Sequence, residues 1–348
     1  MSLPETEVAS LLEFSVRVGR DPLLVQASNG NTSIKLDGIL WIKASGKWLA
    51  NANQQEILVP VNLTQARQAM RANAEIPRID AAGSQLRPSI ETAMHVVLPH
   101  RVVAHVHSIN TVAWAVRRDA PDQLAKRLVG LRWQWIPYKA SGIPLAMQIE
   151  KVVAHSPKTD VFILANHGLV ICGDDCTAVE AVLRDIEGRL AITPRNCPET
   201  GAALAAAVVH SSEWHLPDFP GLHALGTDAI SRKILKGGIL YPCQAVFLGL
   251  RVQTLPYSVP LSRFAEYANG RDGARTFVVI DGGGVIINNQ ITRAEQATLI
   301  GLTQLIQRTD EFAPLRYLTE AELKTVSGQG PHSYLRQQDW ETVDSSRF

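Results

Sequence analysis

The sequence predicts an α/β protein, a sandwich of sheet and helices rather than a strict alternation of strand and helix. Three observations carry that expectation. Asp37-Gly38 lies between the apolar-rich runs SIKL and ILWIKA, and glycine accepts the positive φ that a tight hairpin turn requires. A second pair of strands, DVFILANHG and LVICG, occupies residues 160–173 around a short polar bend. Segments with helical apolar spacing lie before, between and after these pairs, so antiparallel hairpins and helices are mixed along the chain.

The elements follow in order. An opening helix places Val8, Leu11, Leu12 and Val16 at helical spacing, with Pro4 and Thr6 suited to its start. After the first hairpin, residues 61–73 read as helix, and the loop AAGSQLRPS leads into a short helix, IETAMHVVL. VVAHVHS is a strand by its β-branched content, and it feeds a helix around Thr111 to Arg117. Residues 144–155 form a helix, and after the second strand pair another runs from Thr177 to about Ile192, closed by Pro194 and Pro198. A boundary is expected there, with 1–197 as one domain and 198–348 as a smaller α/β domain or extension. In that second part a strand is expected around Ala245 to Gly249, a helix from about Leu261 to Ala268, and a loosely held tail at PHSYLRQQDWETVDSSRF. The stretch FVVIDGGGVIINNQITRAEQATLIGLTQLI echoes FILANHGLVICGDDCTAVEAVLRDIEGRL: strand, small-residue turn, strand, Thr-started helix. A decayed duplication and shared turn chemistry both account for the echo. Under either, Gly283 stands where the first copy has His167.

Composition excludes several function classes. With 348 residues, 46% hydrophobic and 19% charged, the chain fills a sizeable core and is not a disordered or supercharged one. Thirty-four basic against thirty-three acidic side chains, net +1, give no general pull toward nucleic acid or an anionic membrane. No run of about 18 apolar residues offers a membrane span. The first twenty residues carry glutamates and no long apolar block, unlike a signal peptide. Cys172, Cys176, Cys197 and Cys243 are too few and too scattered for a disulfide framework, so reduced thiols and a cytoplasmic setting are expected.

Four residues carry chemistry together: Glu91, His105, His107 and His167. His105 and His107 are two apart on a strand, so both imidazoles face the same way and make half of a zinc site. His167, in Asn166-His167-Gly168 at the bend between two strands, and Glu91, near a helix start, would bring the set to three imidazoles and a carboxylate. Each also has an ordinary structural explanation: a hydrogen-bonded strand pair, a turn residue, a carboxylate favoured by the helix dipole, or a contact with His95 four residues on.

In their order, GNTSIKL, IKASG, RPSIETAMH followed by HVH, and ANHGLVICG, over about residues 8 to 193, resemble the class II aldolase/adducin family. The resemblance implies a three-layer αβα sandwich with a central, mostly antiparallel sheet. It also implies a homotetramer with active sites between subunits, and Zn2+ or another divalent metal held by His105, His107 and His167. Glu91 is then the carboxylate that ligates the empty metal and afterwards acts as acid/base. Asn31, Ser45, Gly46 and Ser89 match positions that hold a substrate phosphate. Ile90 departs from the pattern, standing where a second serine is common, and Lys43 or Lys47 is a candidate to make up the missing interaction as a point charge.

The C-terminal stretches ILYPCQAVFLG and APLRYLTEAE look similar to the aldolase part of rhamnulose-phosphate aldolase/dehydrogenase fusions. A dehydrogenase is not expected here, because no G-x-G-x-x-G follows a strand; DGGG at 281–284 reads as a hairpin turn. The implied function is a zinc-dependent aldolase-type lyase. It would cleave a small ketose phosphate or hydroxyketone reversibly through a metal-stabilised enediolate, releasing an aldehyde such as lactaldehyde. A ribulose-phosphate 4-epimerase, a decarboxylase and a non-catalytic adducin-like binding protein stay open as alternatives. Tyr138, Tyr241, Tyr257 and Tyr267 are candidates to protonate the leaving group. The expected partner is a small molecule, with no nucleic acid and no membrane.

Overall fold

A computed structural model describes residues 5–79, 85–197, 213–256 and 276–327. Its first sheet has seven strands: β1 (Asn31–Leu36), β2 (Ile39–Lys43), β3 (Leu58–Asn62), β4 (Val102–Val106), β5 (Trp133–Ile136), β6 (Val161–Leu164) and β7 (Gly168–Gly173), in the order β3-β2-β1-β4-β7-β6-β5. All neighbours pair antiparallel except β5 and β6. Asp37 and Gly38 turn the β1–β2 hairpin with φ of 47° and 78°, the two left-handed residues that a type I′ turn needs.

Strand alternation divides the core between the two faces of this sheet. Val102, Ala104 and Val106, with Ile163 and Ile171, pack in the cluster that includes α1 (Glu5–Gly19), α5 (Ala120–Arg127) and α7 (Cys176–Leu190). Val103, Phe162 and Val170 belong to another cluster with α3 (Thr92–Val97) and α6 (Ile143–His155). On that side α2 (Leu63–Arg71) brings Ala66 and Met70 against Leu40 and Ile42. The result is the expected αβα sandwich around a mostly antiparallel sheet. His105 and His107 share the parity of Val103, so they open toward the face on which α3 begins.

Around this first sheet, two strands and one helix, β3, β5 and α5, were not expected from the sequence. Pro60 interrupts the strand pattern in β3, yet the strand lies at a sheet edge, where a missing N–H donor costs no ladder bond. The edge strand β5 has only four residues.

The second sheet contains β8 (Trp214–His215), β9 (Thr254–Leu255), β10 (Phe277–Ile280) and β11 (Gly284–Asn288), ordered β8-β11-β10-β9. It repeats β4-β7-β6-β5 in order and in the sense of each pairing. Corresponding backbone bonds recur: Asn166 N donates to Ala115 O (3.0 Å) and Gly282 N to Gly226 O (2.8 Å). Likewise Cys172 N donates to Asp160 O (2.8 Å) and Asn288 N to Thr276 O (2.9 Å). Leu164 pairs with Gly168 and Ile280 with Gly284, so His167 and Gly283 hold the same place in the two hairpins. Shared turn chemistry accounts for a hairpin but not for two flanking strands in matching order; the second lobe repeats four of the seven strands of the first sheet. After β11, Thr292 and Glu295 form a capping box that starts α11 (Arg293–Gln307), as Asp175 caps α7.

Between β8 and β9 lie α8 (Ala224–Thr227), α9 (Ala229–Lys236) and α10 (Pro242–Leu248), and α12 (Glu320–Ser327) ends the described chain. The strand expected around Ala245 to Gly249 is therefore a correction: those residues finish α10, and Gly249 leaves it at φ 89°. Pro242 at the first helical position suits a helix start. The run that follows is buried throughout, so it lacks the periodicity that separates helix from strand. The helix expected at Leu261 to Ala268, Tyr257, Tyr267 and the tail lie outside the described residues.

The lobes share a hydrophobic cluster in which Ile109, Val112 and Val116, from and just after α4 (Ile109–Ala115), meet Leu299, Leu302 and Ile306 of α11. Among the described residues no helix is long and apolar enough to cross a membrane.

Candidate metal centre

Each member of the constellation is presented by a different device. His105 ends the odd-numbered face of β4, between Asn31 of β1 and Val170 of β7; His107 follows one step past the strand. Glu91 occupies the cap position of α3, and its backbone N–H donates to Ser89 Oγ at 3.2 Å. Asn166 adopts the left-handed conformation, φ 52°, which turns the chain so that His167 faces inward. Gly168 is required next to it, because a Cβ there would lie 2.5 Å from Val106 O and 3.2 Å from the His107 ring.

One ligand atom from each of Glu91, His105, His107 and His167 lies within 4.8 Å of the others, and all four residues are buried. His105 Nε2 is 3.3 Å from Glu91 Oε2, and His167 Nε2 is 3.1 Å from Glu91 Oε1. His105 Nδ1 donates to Leu169 O at 3.0 Å, so the Nε2 of a neutral ring carries a lone pair. That atom sits 3.1 Å from His107 Nε2. Burial, and then the neighbouring His105 and His167, pull the His107 imidazole well below its ordinary pKa, which keeps it neutral. Burial alone pushes the Glu91 carboxyl up; the His105 and His167 rings that face its two oxygens, His105 foremost, outweigh it and hold it well below the usual range. Nitrogen lone pairs and a carboxylate converging in a buried space form a donor set that a divalent cation satisfies, so these residues fit a metal.

A further ring of groups orients the donors. Asn31 Nδ2 donates to Glu91 Oε2 (2.9 Å) and to Ser89 Oγ (3.3 Å), and Ser141 Oγ donates to Glu91 Oε1 (3.4 Å). Asn31 Oδ1 accepts from His95 Nε2, and His95 Nδ1 faces Ser33 Oγ at 2.7 Å. Burial first, then Lys35 and His105, pull His95 far down and keep it neutral. The Glu91–His95 contact considered from sequence is thus relayed through Asn31.

A cavity opens at this centre. Ser45, Gly46 and Ser89 line it, as do Asn31 and Lys43. The donors of Asn31 and Lys43 are directed differently from the expected phosphate contacts. Asn31 spends its amide protons on Glu91 and Ser89. Lys43 Nζ donates to Ser28 O (2.9 Å), Ala44 O (3.2 Å) and Lys47 O (2.7 Å), as many carbonyls as an ammonium has protons. Two of the four candidate tyrosines lie in the described residues, and of these Tyr241 is 3% exposed with no partner for its hydroxyl. Tyr138 lies under the Arg316 guanidinium, 5.1 Å from ring centroid to Cζ. Neither lines the cavity.

Ser141 and the wall formed by Pro242, Cys243, Val246 and Phe247 of α10 escaped the sequence reading. For Ser141 a signal exists: KASG occurs at 43–46 and again at 139–142, and both copies supply serines to the cavity. For α10 there is none, since its approach depends on how the lobes pack. Asn166 Nδ2 donates to Leu240 O and Arg316 O, both at 2.8 Å, which ties the turn bearing His167 to the segment leading into α10.

Comparison with known proteins places this architecture. The chain is 28% identical over 185 residues to a Bacillus subtilis (strain 168) protein named as the uncharacterized oxidoreductase YuxG, a match covering 48% of this chain and 26% of that one. The chain thus spans about a quarter of the length of that curated relative. Among solved structures, the N-terminal class II aldolase domain of a conserved protein from Thermoplasma acidophilum is 23% identical. It aligns with 55% of this chain and 94% of its own at a TM-score of 0.46. A sugar-phosphate aldolase from Thermotoga maritima is 13% identical, over 53% of this chain and 94% of its own, with a TM-score of 0.42. The family model for the class II aldolase and adducin N-terminal domain matches residues 13–190, about half of the chain and the whole span from Asn31 to His167, and the chain belongs to that family.

Proposed function

We propose that the protein is a metal-dependent carbon–carbon lyase of the aldolase type, acting reversibly on a small ketose phosphate or hydroxyketone. The observation that carries this reading is the meeting of three imidazoles and a carboxylate at a cavity that polar residues also line. A divalent ion held by His105, His107 and His167, with zinc matching the three-nitrogen set, supplies Lewis acidity toward a substrate carbonyl and its neighbouring hydroxyl.

The remaining chemistry belongs to the chain. Glu91 takes a proton from the substrate and returns it in the reverse direction. Asn31 and Ser141 grip its two oxygens and keep the carboxylate aimed at the cavity. Ser45, Gly46 and Ser89 offer small polar groups for the phosphate or hydroxyl end. Ile90, Val246 and Phe247 also line the cavity and suit the short aliphatic end of an aldehyde. Four free thiols fit a reducing, cytoplasmic setting, and a homotetramer is the assembly we propose.

The test is cleavage of a panel of ketose 1-phosphates and their unphosphorylated counterparts by zinc-loaded protein, with aldehyde release as readout. Release from at least one member is the expected outcome. Zinc-loaded protein that instead inverts a carbinol carbon or releases carbon dioxide is an epimerase or decarboxylase on the same centre. Protein that binds no metal would support the non-catalytic, adducin-like reading.

A further inference from the structure

A histidine that ligates through Nε2 must keep its proton on Nδ1, and something must accept that proton. His105 has an acceptor within its own sheet, the carbonyl of Leu169 on β7. His107 lies past the end of β4, beyond the ladder. The group facing its Nδ1 is Cys243 Sγ, at 3.3 Å, and Cys243 belongs to α10 of the second lobe. Cys243 is itself oriented, because its Sγ lies 3.3 Å from Asn29 Oδ1, to which the thiol donates. Its proton therefore points to Asn29 and its lone pairs to the imidazole.

We propose that Cys243 is a positioning residue for the metal centre: its sulfur accepts the Nδ1–H of His107 and so fixes the tautomer that presents Nε2 to the metal. The inference rests on the metal-centre reading above. Cys243 is not one of the converging ligands, because the imidazole stands between its sulfur and the centre. Both residues are buried, Cys243 at 8% and His107 at 4% exposure, so water does not readily replace the thiol as acceptor. The helix that carries Cys243 is anchored to the site. Asn166, next to His167, bonds to Leu240 O, and Gln244 Oε1 accepts from Leu240 N at 2.9 Å. A thiol is also a weaker acceptor than a carbonyl. It fixes the His107 ring while adding little to its basicity, which leaves a bound ion more electron-poor. By this route the C-terminal lobe acts on a centre whose ligands all come from the first.

The experiment uses the full chain and measures zinc affinity by competition with a chromophoric chelator, alongside the visible spectrum of the cobalt-substituted protein. Cys243→Ala is expected to weaken zinc binding roughly 10–100-fold, the usual effect of losing such an outer partner, and to shift the cobalt ligand-field bands. Cys243→Ser retains a donor and an acceptor and is expected to restore most of the affinity. Leu248→Ala, a truncation in the same helix at a buried residue that does not line the cavity, is expected to bind zinc like wild type. Unchanged affinity and spectrum in Cys243→Ala would overturn the proposal. So would a serine variant as weak as the alanine one, or equal weakening in Leu248→Ala, since packing would then be the cause. A sulfur-to-cobalt charge-transfer band in wild type would make Cys243 a ligand, which also overturns it. Wild-type protein that fails to bind metal would instead defeat the underlying metal-centre reading.

Discussion

His167→Ala is expected to lose its metal while keeping its fold. The side chain is one of three imidazoles converging on Glu91, and its removal leaves two nitrogens and a carboxylate for an ion that favours four ligands. The loss should exceed the roughly 10–100-fold that removal of an outer-sphere partner causes. Elemental analysis after dialysis should find zinc in wild type and little or none in the variant. The backbone at this turn does not depend on the imidazole: Asn166 holds it through Leu240 and Arg316. Far-ultraviolet circular dichroism should therefore be unchanged. A variant that retains zinc at one ion per chain would remove His167 from the site.

Glu91→Gln is expected to separate binding from turnover. Glutamine keeps the shape and one acceptor oxygen for Asn31 or Ser141, and the three imidazoles remain, so metal stays bound. The proton acceptor is gone, and loss of a positioned general acid/base typically costs about 10²–10⁴-fold in rate. Measured on whichever substrate the panel identifies, kcat should fall by that range while zinc content holds. Wild-type turnover in this variant would move the base to another residue.

The three histidines were readable from sequence for different reasons. His105 and His107 declare a shared face through strand parity alone. His167 is legible from the Asn-His-Gly bend, and the structure adds the reason for the glycine, whose Cβ would strike Val106 O. The repeated strand–turn–strand–helix pattern was visible as well, but choosing between duplication and shared turn chemistry needed the flanking strands β8 and β9. Each has only two residues, too short to leave a pattern. Asn31 was expected to contact a phosphate, and its amide bonds Glu91 at the cavity: a sequence cannot say whether an amide faces substrate or a neighbouring carboxylate. The α10 wall was hidden twice, first because an apolar run buried on every side has no period. It was hidden again because its contact with His107 joins residues far apart in the chain, through packing between lobes.

The central claim is that His105, His107, His167 and Glu91 form one metal centre, and X-ray absorption at the zinc edge of the loaded wild-type protein tests it most directly. The expected first shell has nitrogen and oxygen scatterers at about 2.0–2.2 Å, with imidazole outer-shell features and no sulfur. A sulfur scatterer near 2.3 Å, or zinc surrounded by oxygen alone, would contradict the assignment.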